Sequence, residues 1–303
     1  MKCLIELREM ENSDLEKQFR EYLEKTEGVW KQKLFEIDFS KILNPKDREI
    51  IKELDGKYNL SNECFKLDKK GNVIELDLRR EDSILDMSFS MPRITMKKKL
   101  SKIPEHIQNL LHLQSLFIIS NKITEIIHLD GMINLKHVVI TYNQIDKIKG
   151  LDTLVGLEGL SLGSNKIKKI EGLNHLKKLK GLSISTNQIS KIEGLENLVN
   201  LERLDLGRNK ITQIEGLDNL VALKVLKLEG NSIKNMEGLD RLVNLKELDL
   251  SGNKIKYVRQ LKHLENLSKV ILFGNRLSAE SEKKIRVDPK YLHESKFCGA
   301  EKI

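Results

Sequence analysis

The chain has 303 residues, of which 39% are hydrophobic, 32% charged and 5% aromatic, with a formal net charge of +8. That balance supports a sizeable core and excludes a disordered chain; no apolar run approaches the roughly 20 residues that a membrane-spanning helix needs. Cys3, Cys64 and Cys298 are odd in number and far apart, which excludes a cysteine-framed secreted scaffold and points to a reducing, cytoplasmic compartment.

Residues 1–70 do not repeat. Met1–Leu7 is a short apolar stretch compatible with a strand, and MKCLIELREMENSDLE meets acid too soon for a secretory signal. Ser13 and Glu16 form a capping box that predicts a helix through about Lys25. Trp30, Leu34, Ile37, Phe39, Ile42 and Leu43 supply a second apolar group. Asn44–Pro45 predicts another helix start, with Ile50, Ile51 and Leu54 inside and Gly56 as its stop. Together these predict a small, mostly helical domain that caps the rest of the chain.

A repetitive region spans 71–277. Val73, Leu76 and Leu78 predict its first strand, although Glu81 stands where later units place asparagine and 79–99 fits the frame poorly. Leu100, Ile103, Pro104, Ile107, Leu110 and Leu113 belong to a related 23-residue variant. Then Asn121, Asn143, Asn165, Asn187, Asn209, Asn231, Asn253 and Asn275 recur every 22 residues. The apolar frame keeps the same beat: Leu201, Leu204, Leu206, Ile211, Ile214, Leu217 and Leu220 return as Leu223, Leu226, Leu228, Ile233, Met236, Leu239 and Leu242. A fixed period of this length means one coil stacked along an axis. Leu204 and Leu206 alternate with Arg203, Asp205 and Gly207, which is strand periodicity. Each asparagine comes after the strand at a turn, and its amide needs backbone partners in its own and the adjacent coil. The glycines at 150, 172, 194, 216 and 238 bend each coil.

At the far end, 278–303 predicts a C-terminal cap. Ser278–Arg286 forms a short polar helix ending near Asp288–Pro289, Leu277, Ile285 and Tyr291 cover the last coil, and the tail after His293 is mobile.

The unit LxxLxLxxN, repeated at 22 residues over roughly Leu100 to Leu277, resembles the short leucine-rich repeat class shared by bacterial internalins and a regulatory subunit of protein phosphatase 1. The resemblance implies an α/β solenoid: an arc with a parallel β-sheet on its concave side and short 3₁₀ or extended segments on its convex side. It also implies a protein partner on the concave face. The chain departs from secreted internalins in its N-terminus. It departs from the phosphatase subunit in placing Gly and Ser on two consecutive rungs, so that partner does not carry over.

The register fixes which side chains face outward on the sheet. The first rungs present Ser115, Phe117 and Ile119, then His137, Val139, Thr141 and Tyr142. Two bare rungs come next, with Gly159, Ser161, Gly163 and Ser164, then Gly181, Ser183, Ser185 and Thr186. Charged rungs succeed them: Arg203, Asp205 and Arg208, then Lys227 and Glu229, then Glu247 and Asp249, and the last presents Lys269, Ile271 and Phe273. Aromatic and apolar groups beside a small-residue floor invite a partner, and the charged positions would orient it. The partner-binding candidates are therefore Phe117, Ile119, Val139, Tyr142, Arg203, Asp205, Arg208, Lys227, Glu229, Glu247, Asp249 and Phe273. Phe117, Ile119, Val139, Ile271 and Phe273 are also where end caps would pack.

No catalytic residue stands out. The seven histidines show no metal-ligand spacing, no glycine loop suits a phosphate, and Ser161 in GLSLGS is a strand residue without GxSxG. Lys122, Lys166, Lys210 and Lys254 share one slot, and Lys147, Lys169 and Lys191 another, beside the acidic column Glu171, Glu193, Glu215 and Glu237. Opposite columns side by side predict a self-compensated edge. The expectation is a monomeric, non-enzymatic interaction scaffold or regulatory subunit, with a protein partner, no cofactor, no metal, no membrane and no nucleic acid. The alternatives are an enzymatic function in 1–70 or a basic nucleic-acid-binding surface, which would show steep salt dependence.

Overall fold

The computed structural model describes residues 37–58, 60, 64–79, 99–258, 261, 263–287 and 291–292. The expectations for Met1–Leu7, the helix begun at Ser13, Trp30, Leu34, Glu81 and the tail after His293 lie outside them.

Helix α1 (Pro45–Tyr58) starts as the sequence predicts. Asn44 caps it: its Oδ1 accepts the N–H of Lys46 at 3.1 Å and of Asp47 at 3.3 Å. Ile50, Ile51 and Leu54 are buried. Gly56 does not stop the helix, which runs on to Tyr58. The chain leaves it where Asp55 Oδ1 accepts the N–H of Leu60 at 2.9 Å.

Within the segment expected to be mostly helical lies strand β1 (Phe65–Leu67), paired antiparallel with β2 (Val73–Asp77). Asp68 organises the turn between them, its Oδ1 accepting the N–H of Lys70 at 2.8 Å and of Asn72 at 3.0 Å. Asp47 ties α1 to this hairpin. It is buried, and its Oδ2 accepts the N–H of Val73 at 2.8 Å.

From β2 onward every strand pairing is parallel. Strands β3 (Ser115–Phe117), β4 (His137–Val139), β5 (Gly159–Ser161), β6 (Gly181–Ser183), β7 (Arg203–Asp205), β8 (Val225–Lys227), β9 (Glu247–Asp249) and β10 (Lys269–Ile271) are laid down in sequence order. The register steps by the repeat, Leu182 against Leu204 and Leu204 against Leu226. Each strand is three residues long because the inward leucine pair and the turn asparagine leave room for no more. The other leucines and isoleucines of each coil fill the space behind the sheet. Leu157, Leu160, Leu162, Ile167, Ile170, Leu173 and Leu176 are all at most 2% exposed, and the core is continuous with Ile42, Ile51 and Leu54 of the N-terminal segment.

Among the described residues the convex side carries no helix in the regular coils. Single tight turns replace it, with Leu154 N–H donating to Leu151 O at 3.0 Å and Leu157 N–H to Leu154 O at 2.9 Å. A 3₁₀ helix, Glu105–Asn109, lies in the first full coil.

The asparagines form a continuous ladder. Asn187 Oδ1 accepts the N–H of Ile167 at 2.9 Å, and its amide donates to Leu162 O at 3.0 Å, Ile184 O at 3.2 Å and Ser185 O at 3.0 Å. Asn253 makes the same four bonds three coils later, to Ile233, Leu228, Leu250 and Ser251. Each side chain thus closes its own turn and clamps two points of the preceding coil, satisfying groups that burial would otherwise orphan. A second, exposed row of amides stitches the outer turns. Asn134, Asn200, Asn244 and Asn266 donate to Leu111 O, Lys177 O, Val221 O and Val243 O. Gly156, Lys178 and Ala222 interrupt that row.

Helix α2 (Ala279–Val287) is the predicted C-terminal helix, with Ser278 Oγ accepting the N–H of Ser281 at 3.2 Å. Leu277 packs against the core. Tyr291–Leu292 forms strand β11, which pairs parallel with β10 and extends the sheet by one strand that the sequence does not predict. A two-residue strand has no periodicity by which to recognise it.

Candidate functional site on the concave sheet

The outward positions of the sheet share one face, and its middle is hollow. A depression of about 340 Å³ is floored by Gly159, Ser161, Gly181 and Ser183 and bounded by His137, Val139, Arg203, Asp205 and Lys227. The floor is low because its strands carry only Gly and Ser outward; a Cβ on Gly181 would meet nothing within 4 Å, whereas Gly159 is crowded. A Cβ on Gly159 would lie 2.8 Å from His137 Nδ1, so the imidazole occupies that space.

Before the floor, Tyr142 is 46% exposed, whereas Phe117, Ile119 and Val139 are half-buried. After it come β7 and β8, where Arg203, Arg208 and Lys227 are exposed and Asp205 and Glu229 half-buried. Glu247 and Asp249 stand one coil further on. Phe273 is 51% exposed at the far end. It lies six coils from Tyr142, roughly 29 Å at the spacing of parallel strands, so these two aromatics do not form one contact.

The acids of this face are engaged within the chain. Asp205 Oδ1 accepts the N–H of Gly207 at 3.0 Å, and its Oδ2 accepts the Ser183 hydroxyl at 3.1 Å. Asp249 Oδ1 accepts the N–H of Ser251 at 2.9 Å and its hydroxyl at 2.7 Å. Glu247 pairs with Lys269 at 2.9 Å. Glu229 leans across Gly207, and a side chain there would collide with its carboxylate. Glu229 Oε2 is buried without a hydrogen bond. Burial raises the pKa of Glu229; a hydrogen bond from its own backbone opposes this, and the charges of Asp205 and Asp249 add to the rise.

The residue before each ladder asparagine is left-handed. Ser120, Tyr142, Ser164, Thr186 and Arg208 have φ of 58°, 54°, 55°, 54° and 54°, and Gly230, Gly252 and Gly274 fill the same slot downstream. The left-handed region costs a residue with a side chain about 1–2 kcal/mol, and most for β-branched Thr186. The period reveals this slot, but its sign of φ is not readable from five side-chain-bearing residues.

The flanks carry charge ladders. Lys180 pairs with Glu158 at 2.7 Å and Lys224 with Glu202 at 2.8 Å, beside the start of the strands. These pairs lower the glutamate pKa values by hydrogen bonding and charge. On the opposite edge, Lys169 and Lys191 approach Glu193 at 3.8 and 4.0 Å. A second hollow of about 430 Å³ lies between α1 and Glu105–Asn109, where Glu53 and His106 pair. Among the described residues no three His, Cys, Asp or Glu side chains gather as a metal site, and no helix is long and apolar enough to cross a membrane.

Comparison with known proteins agrees with this architecture. The two-copy leucine-rich repeat family matches residues 155–197 and 199–241, and the single leucine-rich repeat matches 244–269. Internalin C2 of Listeria monocytogenes is 32% identical; the match covers 55% of this chain and 74% of that one, with a TM-score of 0.53. A leucine-rich repeat protein of Leptospira interrogans, 23% identical, shares the fold over 64% of this chain and 57% of its own, with a TM-score of 0.56. No curated protein gives a significant sequence match. A 22-residue period, a sheet that gains one strand per coil, an asparagine ladder and these matches lead to one conclusion: the chain belongs to the leucine-rich repeat family.

Proposed function

We propose that the chain is a non-enzymatic protein-interaction scaffold or regulatory subunit that binds a protein partner on its concave sheet. One observation carries this reading. Five consecutive coils hold a side chain in a left-handed slot that glycine fills in the next three. Backbone strain of this kind persists where the side chain serves a purpose, and Tyr142 and Arg208 are exposed on the two sides of the 340 Å³ hollow. Phe117, Ile119, Val139 and Tyr142 then anchor one end of the partner. Arg203, Asp205, Arg208, Lys227, Glu229, Glu247 and Asp249 orient its middle, and Phe273 meets its far end. Residues 1–70 and 278–303 are caps on this reading, and 71–277 is the binding solenoid. Three cysteines, odd in number and far apart in the sequence, suit a reducing, cytoplasmic compartment.

The test is affinity capture from the source cell, comparing the wild type with Phe117→Ala/Tyr142→Ala and with Asp218→Asn/Asp240→Asn on the outer turns. Loss of the same captured protein in the concave variant alone supports the reading. Equal capture by all three overturns it.

A further inference from the structure

Among the described residues the cations and the acids of the central rungs are engaged differently, and Glu229, whose buried Oε2 has no hydrogen bond, is the exception among the acids. Among the described residues no hydrogen bond or ion pair engages the side chains of Arg203, Arg208 or Lys227, and all three are exposed. Asp205, Glu247 and Asp249 are each bonded to a neighbour at 3.1 Å or less. Arg208 also keeps its strained backbone, and the coil above makes room for it: a Cβ on Gly230 would lie 3.2 Å from Arg208 Cγ. Lys210 continues the positive surface past the turn, with Lys166 and Lys254 in the same slot two coils to either side. Unbonded cations beside satisfied acids favour carboxylates and disfavour a basic visitor.

Resting on the concave reading, the geometry points to an acidic segment of the protein partner, docked across Arg203, Arg208 and Lys227 with its backbone over the Gly159–Ser161–Gly181–Ser183 floor. The small floor lets a main chain approach closely. A nucleic-acid strand fits less well, for two reasons. The carboxylates of Asp205, Glu247 and Asp249 still interrupt the positive charge that a continuous phosphate row would require. No outward position of β5–β9 carries an aromatic ring on which a base could stack.

Fluorescence anisotropy of the full chain at low salt tests this with three labelled probes: a 16-residue Glu/Ser/Gly peptide, its Gln-for-Glu counterpart and a 16-nucleotide dT strand. The acidic peptide should bind and its neutral counterpart should not. Arg203→Gln/Arg208→Gln/Lys227→Gln should raise the Kd for the acidic peptide at least tenfold. Lys177→Gln/Lys178→Gln/Lys246→Gln, an equal change of charge on the outer flank, should raise it less than twofold. All six side chains are exposed, and thermal unfolding of each triple variant confirms that it folds. Equal losses in the two variants, equal binding of both peptides, or tighter binding of the dT strand would each overturn the proposal. If the acidic peptide fails while Phe117→Ala/Tyr142→Ala still abolishes capture, the concave reading stands and only the acidic partner is lost.

Discussion

The coils that end at Asn121 through Asn209 and those that end at Asn231 through Asn275 share one frame and differ at one backbone slot. In the first group the residue before the asparagine carries a side chain at positive φ; in the second it is glycine. Asn187 on one side of the boundary and Asn253 on the other make the same ladder bonds. The difference therefore teaches that stacking does not require a side chain in that slot, so the strain of the first five coils is not demanded by the repeat frame.

The largest test removes the ladder from each region. Asn187→Ala and Asn253→Ala should each cost about 3 kcal/mol, because each leaves a buried N–H without its acceptor and three carbonyls without their donor. Equal losses in urea unfolding would place the contrast in the slot alone; a much smaller loss at Asn253 would mean that the coils themselves differ. Next comes the slot. Thr186→Gly should stabilise by about 1 kcal/mol, and Gly252→Thr should destabilise by about 1–2 kcal/mol. A Cβ at Gly252 meets nothing nearer than 3.4 Å, so that loss would report backbone strain rather than collision. If Thr186→Gly is neutral, the first group is not strained.

Glu229 sits at the boundary and gives a smaller, pH-dependent effect. Its pKa is raised by burial above the ordinary 4.5. The protonated form is therefore favoured by folding, and that stability is present below about pH 4.5 and lost as pH rises through the folded value. Glu229→Gln should be more stable than the wild type at pH 7, by less than about 1 kcal/mol given its partial exposure, and equal to it near pH 3.5. An unchanged difference at both pH values would remove the carboxylate from the account. The smallest effect belongs to Asn200→Ala on the outer row, about 0.5 kcal/mol or less, because its partners are exposed to water.

Much of the fold was legible in the residues. The 22-residue spacing of asparagine gave the coil, the leucine alternation gave the face, and Asn44–Pro45 gave the start of α1. Features without a period were not legible. Strand β1 is three residues beside an Asp68 turn, and β11 is only two residues. Gly56 read as a stop because glycine weakens helices, yet α1 continued through it. On the concave face the outward positions came from register, but the state of each side chain did not. That Glu229 folds onto Gly207, that Asp205 is held by Ser183, and that Arg203, Arg208 and Lys227 are left unbonded depend on contacts between coils.

The outer row of amides carries one more consequence. Its interruptions at Gly156 and Lys178 fall in the two successive coils whose inner side forms the glycine and serine floor. Those coils are held together by the sheet, the core and the buried ladder, without that outer stitch. There, as at the single gap at Ala222, the outer side does not fix the curvature of the arc, and a visitor too wide or too narrow for the hollow would be accommodated by opening or tightening the bow at its own seat.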